Sequence, residues 1–245
     1  MPRAMRVVPS ATLALALTLV VALALAVASP TAAARPSTPP VLPPTYSVEM
    51  HEYLHTAVPD KEYRWNISYA ISYELGSARQ IHSAGQYDEI CSSIPGHEHT
   101  GERCEVIINT DYRYVYLPDS DICCQCCTSG APQYCGVVKP DWAANGTYIG
   151  EVPIDTGGPS PTTCYQYDVQ GHYVNHFYVT PELAPDGYVT PCEFWEAKPG
   201  HVLRKQFVYQ LATYSTAPIP ASHFDLPDVP GGCDQQCPGI CEHAA

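Results

Sequence analysis

The sequence predicts a mainly-β domain of stacked or curled antiparallel sheets with disulfide-rich loops. Three observations predict it. Short segments alternate apolar and polar residues at period two, no long stretch sustains helical periodicity, and Tyr (18), Pro (25) and Cys (12) are abundant among 245 residues. Charged residues make up only 15%, which suits neither long solvated helices nor an acidic disordered tail.

The chain divides into four parts: a signal peptide (1–34), a proline-rich lead-in (35–44), a single β domain (45–230) and a cysteine-rich C-terminal tail (231–245). Arg3 and Arg6 precede an apolar run at residues 11–28, which ends in the small residues Ala26-Val27-Ala28, with Ala32-Ala33-Ala34 further on. This is the charge, core and cleavage-site pattern of secretion. The competing reading is an uncleaved membrane anchor, because that run approaches the length that spans a bilayer. The expected location of the folded part is therefore the oxidising, extracellular side of the membrane, with an N-terminal anchor as the alternative. Two sequons agree with this, at Asn66-Ile67-Ser68 and Asn145-Gly146-Thr147.

Within the β domain, residues 45–55 alternate, with Tyr46, Val48, Met50 and Leu54 on one face and Glu49, His51, Tyr53 and His55 on the other. The strongest strand signal is 63–75, where Tyr63, Trp65, Ile67, Tyr69, Ile71, Tyr73 and Leu75 share a face and Asn66 lies on the wet side. Further strands are expected at 105–109, 112–117, 164–169, 173–179, 192–196 and 203–214, with a hairpin turn at Gly171.

All 12 cysteines lie after the leader: Cys91, Cys104, Cys123, Cys124, Cys126, Cys127, Cys135, Cys164, Cys192, Cys233, Cys237 and Cys241. In a secreted chain they are expected to form disulfides, of a connectivity that spacing does not determine. Neighbouring cysteines do not readily bridge each other, so the 123–127 cluster is expected to tie one loop to several strands. Cys233, Cys237 and Cys241 form a second stapled knot. No metal site is assigned to them.

Basic residues number 12 against 25 acidic ones, a net charge of −13, which argues against a nucleic-acid partner. G-x-S-x-G, P-loop and G-x-G-x-x-G signatures are absent, and no catalytic residue is assigned. The chain is read as a non-enzyme. His51-Glu52-Tyr53-Leu54-His55 matches H-E-x-x-H, the string by which a zinc metallohydrolase holds its metal, but that chemistry requires a helix and a third ligand. On a strand the two histidines stand about 13 Å apart, too far for one ion. His97-Glu98-His99 reads as a polar loop. The dispersed Asp119, Asp121, Asp141, Asp155, Asp186, Asp225 and Asp228 lack calcium-loop spacing and support weak calcium binding at most.

One set of segments adds what composition cannot. Cys126-Cys127, the run Cys135-Gly136-Val137-Val138-Lys139-Pro140-Asp141-Trp142, the run 164–171, Asn175-His176-Phe177-Tyr178, Thr190-Pro191-Cys192-Glu193-Phe194 and His223-Phe224-Asp225-Leu226-Pro227 occur in an order that resembles secreted ependymin-related proteins. The likeness is a pattern of spaced residues over roughly Thr45 to Cys233. It implies paired antiparallel sheets like the half-barrel of the LolA-type lipoprotein carriers, enclosing a deep pocket for lipid-like ligands. It also implies a glycosylated, disulfide-linked, non-enzymatic product that is extracellular or in the lysosomal lumen, with calcium binding and adhesion in some members. The 123–127 cluster and the C-terminal knot depart from the family, so its disulfide pairing, dimerisation and calcium behaviour do not transfer.

Two readings of the strand faces follow. In one, Tyr63, Trp65, Ile67, Tyr69 and Tyr114 line a pocket for a hydrophobic small molecule or lipid. In the other, the same residues fill a solid core, and the protein is a structural or adhesion glycoprotein that contacts extracellular matrix or a second copy of itself.

Overall fold

The computed structural model describes residues 39–55, 62–84, 91, 94–97, 100–129, 135–171, 174–198 and 202–238. They belong to the unit Arg35–Ala245. The leader and Cys241 lie outside the described residues.

Among the described residues there are eleven strands: β1 (Thr45–His55), β2 (Glu62–Ser72), β3 (Ser77–His82), β4 (Cys104–Ile108), β5 (Tyr112–Leu117), β6 (Ile122–Thr128), β7 (Thr147–Ile154), β8 (Thr162–Gln170), β9 (Val174–Val179), β10 (Pro191–Lys198) and β11 (Val202–Tyr209). All pair antiparallel in one sheet, in the order β6-β5-β4-β3-β2-β1-β11-β10-β9-β8-β7. The chain starts at the centre, steps outward to β6, crosses to the opposite edge at β7 and steps back to meet β1. The mainly-β, antiparallel expectation holds. What the sequence divides into two layers is one open sheet, because β1 pairs with β2 on one side and β11 on the other.

Alternation assigns the faces. The register aligns Tyr46 with Ile71, Val48 with Tyr69, Met50 with Ile67 and Glu52 with Trp65, so the even residues of β1 and the odd residues of β2 share a side. That side is concave: side chains from β4 and β5 and from β9 and β10, on opposite flanks of β1, meet around one cavity. The strand at 63–75 ends earlier than its pattern suggests. Its chain turns at residues 73–76, where Gly76 sits at φ +60° and leaves Tyr73 and Leu75 exposed.

The cysteine cluster forms strand β6, not a loop, and the pleat separates its neighbours. Cys124 aligns with Val115 and packs in the concave-side cluster, whereas Cys123 aligns with Tyr116 and packs on the convex side. Each therefore takes a different tail partner: Cys123 bonds Cys233, and Cys124 bonds Cys237. The tail also donates from Cys237 N to Gln125 O and accepts from Gln125 N at Gln235 O, covering the backbone of the edge strand. Instead of a separate knot, the described part of the tail is a cover for β6. The remaining described pairs are Cys91–Cys104, Cys127–Cys135 and Cys164–Cys192. Cys126 is disulfide-bonded as well.

Convex-side residues Ile107 and Tyr114 pack against Val229 and Leu226 of the C-terminal segment. Buried Glu105 is held there by the guanidinium groups of Arg79 and Arg103. Among the described residues no helix is long and apolar enough to cross a membrane.

Candidate functional site

The concave face bounds a cavity of about 550 Å³. Its floor is the central strands, and two further elements complete it. The first is the connection from β6 to β7. Because those strands are opposite edges of the sheet, the chain must cross a face to join them, and residues 136–142 cross the concave one. Trp142 fixes this crossing, with its ring centroid 5.0 Å from Phe177 and 5.5 Å from Phe194. The Cys127–Cys135 bond anchors its start. The second is the proline-rich lead-in, whose Leu42 N donates to Pro140 O while Val41 O accepts from Val189 N. Pro40 is fully buried and Leu42 lines the cavity, so this segment is part of the wall. Behind this lining, Tyr214 packs on Tyr46 from beyond the end of β11.

Most of the lining is aliphatic or aromatic, including Tyr46, Met50, Ile108, Phe177, Phe194 and Phe207. Burial pushes the phenols of Tyr46, Tyr69 and Tyr209 well above their ordinary pKa, so all three present neutral hydroxyls at physiological pH. Polar groups collect in a band near one end. Lys205 Nζ lies 3.3 Å from Glu52 Oε1, Glu196 is the cross-strand partner of Lys205, and His82 Nδ1 lies 3.7 Å from Glu52 Oε2. The opposite end carries one charged residue of the lining, Arg113.

Of the candidate liners, Tyr69 faces the cavity. Trp65 and Ile67 share its face of β2 but are buried in the floor packing at 3% and 0% exposure. Tyr63 has its backbone in β2, and its side chain lies outside the described residues. Tyr114 is a correction: the pairing of Ile107 with Tyr114 puts it on the convex side, beneath the C-terminal segment. Sequence reasoning missed Phe177, Phe194, Phe207 and Trp142. The first three sit at positions of β9, β10 and β11 that cross-strand pairing could have joined, since Phe177 aligns with Phe194 and Phe194 with Phe207. Trp142 is in irregular chain that has no periodicity to read.

The H-E-x-x-H string lies in β1. Glu52 points to the concave side, while His51 and His55 project from the other face, bonded to Asn66 Oδ1 at 2.7 Å and Gln206 Oε1 at 3.1 Å. The glutamate is thus on the wrong side of the sheet to activate water on a metal held by these histidines. His97 pairs with Glu102, and Glu98 and His99 lie outside the described residues. Among the described residues no group of three His, Cys, Asp or Glu side chains is placed to hold a metal ion. Asn66 and Asn145 are both exposed.

No protein-family model matches this chain, and no curated protein matches it. Solved structures do show similarity. An uncharacterized conserved protein from Thermus thermophilus aligns with a TM-score of 0.44 and 8% identity, over 78% of this chain and 90% of that one. The LolA superfamily protein NE2245 from Nitrosomonas europaea aligns at 0.40 and 9%, over 76% and 93%. MucB of Pseudomonas aeruginosa, in its complex with MucA, aligns at 0.35 and 12%, over 75% and 56%. These likenesses carry no inference about what this protein binds.

Proposed function

We propose that the protein is a secreted, disulfide-stapled, non-catalytic carrier that holds a lipid-like molecule in its concave cavity. The observation that carries this reading is the cavity itself. At about 550 Å³ it falls within the roughly 300–1,000 Å³ typical of small-molecule sites. Its lining is mainly apolar and aromatic, and a solid sandwich core would be close-packed with no void of this size. A desolvated apolar tail gains roughly 0.8 kcal/mol per buried methylene, ample for a site of these dimensions. Support for secretion comes from the leader-like N-terminus, the disulfides and the exposed Asn66 and Asn145, which are the proposed glycan acceptors. The spacing pattern of ependymin-related proteins points the same way.

The test is recovery of ligand. Protein secreted by a eukaryotic host and purified without detergent is extracted with organic solvent, and the extract is analysed by mass spectrometry. The reading expects a stoichiometric amphiphile. Ligand-free protein that also fails to take up a neutral fluorescent lipid probe would falsify it.

A further inference from the structure

We infer that the cavity selects amphiphiles with an anionic head, and that Arg113 is the head-group partner; this rests on the carrier reading above. Strand register places Arg113 far from the cavity's carboxylates. Arg113 aligns with Ile108, Ile108 with Ala78, Ala78 with Ile71 and Ile71 with Tyr46, so Arg113 sits in the row of Tyr46 across five strands. Glu52 is six residues further along β1, about 20 Å at the usual rise, and Glu196 lies beside Lys205 in that same distant band.

The distant band is internally matched, with Lys205 against Glu52 and Glu196. Arg113 has no such match: among the described residues no carboxylate pairs with it, and its buried Nε donates to no protein group. The Tyr69 phenol couples to it electrostatically, and burial keeps that phenol neutral. A guanidinium remains charged even when partly desolvated, and its planar fork matches carboxylate and phosphate oxygens. An anion bound here would satisfy the cation while its tail runs over Tyr46, Ile108 and Met50 toward Phe194 and Phe207. Both carboxylate and phosphate heads present this chemistry.

The experiment is displacement of Nile red, a neutral probe, by dodecanoate, dodecyl phosphate and 1-dodecanol, using the full secreted protein and its Arg113→Met and Arg113→Lys variants. Hydrogen bonds to charged groups predict that at least one anion outcompetes the alcohol by about tenfold or more, and the two anion arms show which head is preferred. Arg113→Met should erase that advantage, and Arg113→Lys should retain part of it. The wild-type comparison of anion with alcohol stands even if a variant fails to fold. Equal displacement by anion and alcohol in the wild type, or an undiminished anion preference in folded Arg113→Met, overturns the head-group assignment and leaves the carrier reading standing. Absence of Nile red and dodecanol binding overturns both.

Discussion

Lys205 and Glu52 face each other on the concave wall, with Nζ 3.3 Å from Oε1 and both side chains nearly inaccessible to solvent. Charges so placed are stable only as a set, because removing one leaves the other buried against aromatic neighbours. Lys205→Met is expected to cost about 3–5 kcal/mol. The double variant Glu52→Gln/Lys205→Met should recover much of that loss, since the fully buried Glu52 then carries no charge, and Glu196, the other carboxylate beside Lys205, is only half-buried. Urea denaturation of the wild type, both single variants and the double variant measures the coupling.

The two long-range disulfides offer a second test. Cys123–Cys233 and Cys124–Cys237 close loops of almost the same length, with sequence separations of 110 and 113. Loop entropy is removed once by the first bond and hardly again by the second. Replacing either pair by alanine should therefore cost little beyond local packing, and because Cys126 of the same strand is disulfide-bonded as well, the full loop-entropy loss of about 4–5 kcal/mol is expected only when Cys126 is replaced together with both pairs. Additive losses in equilibrium unfolding would contradict the arrangement in which adjacent cysteines of β6 clamp one tail from opposite faces.

Glu193 gives a pH dependence with a definite sign. It lies on the convex side at 2% exposure and accepts a hydrogen bond from Gln206 Nε2 at 2.7 Å. Burial raises its pKa from 4.5 to about 7, with the Gln206 bond opposing. The folded state therefore holds a proton that the unfolded state has already released between pH 4.5 and 7. The contribution of Glu193 to stability should be fullest below pH 4.5 and fall by about 2–3 kcal/mol as pH rises to 7. Glu193→Gln, which removes the titrating group, should flatten this part of the profile and raise Tm at pH 8.

Trp142 supports the cover of the cavity. Trp142→Ala should destabilise the fold by about 2–3 kcal/mol, less than for a fully buried tryptophan because the ring is only half-buried. It should also speed release of a bound probe in stopped-flow measurements, because the crossing between β6 and β7 loses its contacts to Phe177 and Phe194.

How much of this was legible in the sequence depended on whether a strand had one wet face. β1, β2 and β5 alternate against solvent or a cover; the bounds of β1 and β5 follow closely from the pattern, and β2 follows it until the turn at 73–76. β3, β6 and β7 were not read as strands. β3 sends Gln80 and His82 into the cavity, so polarity does not mark its outer face. β6 is covered on both sides and consists largely of cysteine, and β7 is an edge interrupted by Gly150 and Pro153. The site was legible at Tyr69 and misplaced at Tyr114. The aromatic row of β2 announces an apolar face, but which face of β5 joins it depends on register through β3 and β4. Even Glu52 was assignable by parity, since it shares the even positions of Tyr46 and Met50.

The most direct test of the cavity as a ligand site is a titration of delipidated protein with a fluorescent fatty acid, compared with Val106→Trp. Val106 lines the cavity from β4, and an indole there would occupy the space with limited strain on the surrounding sheet. The wild type should take up one equivalent, and Val106→Trp, with its Tm retained, should bind about tenfold more weakly or not at all. No uptake by the wild type, or equal uptake by folded Val106→Trp, would contradict the account.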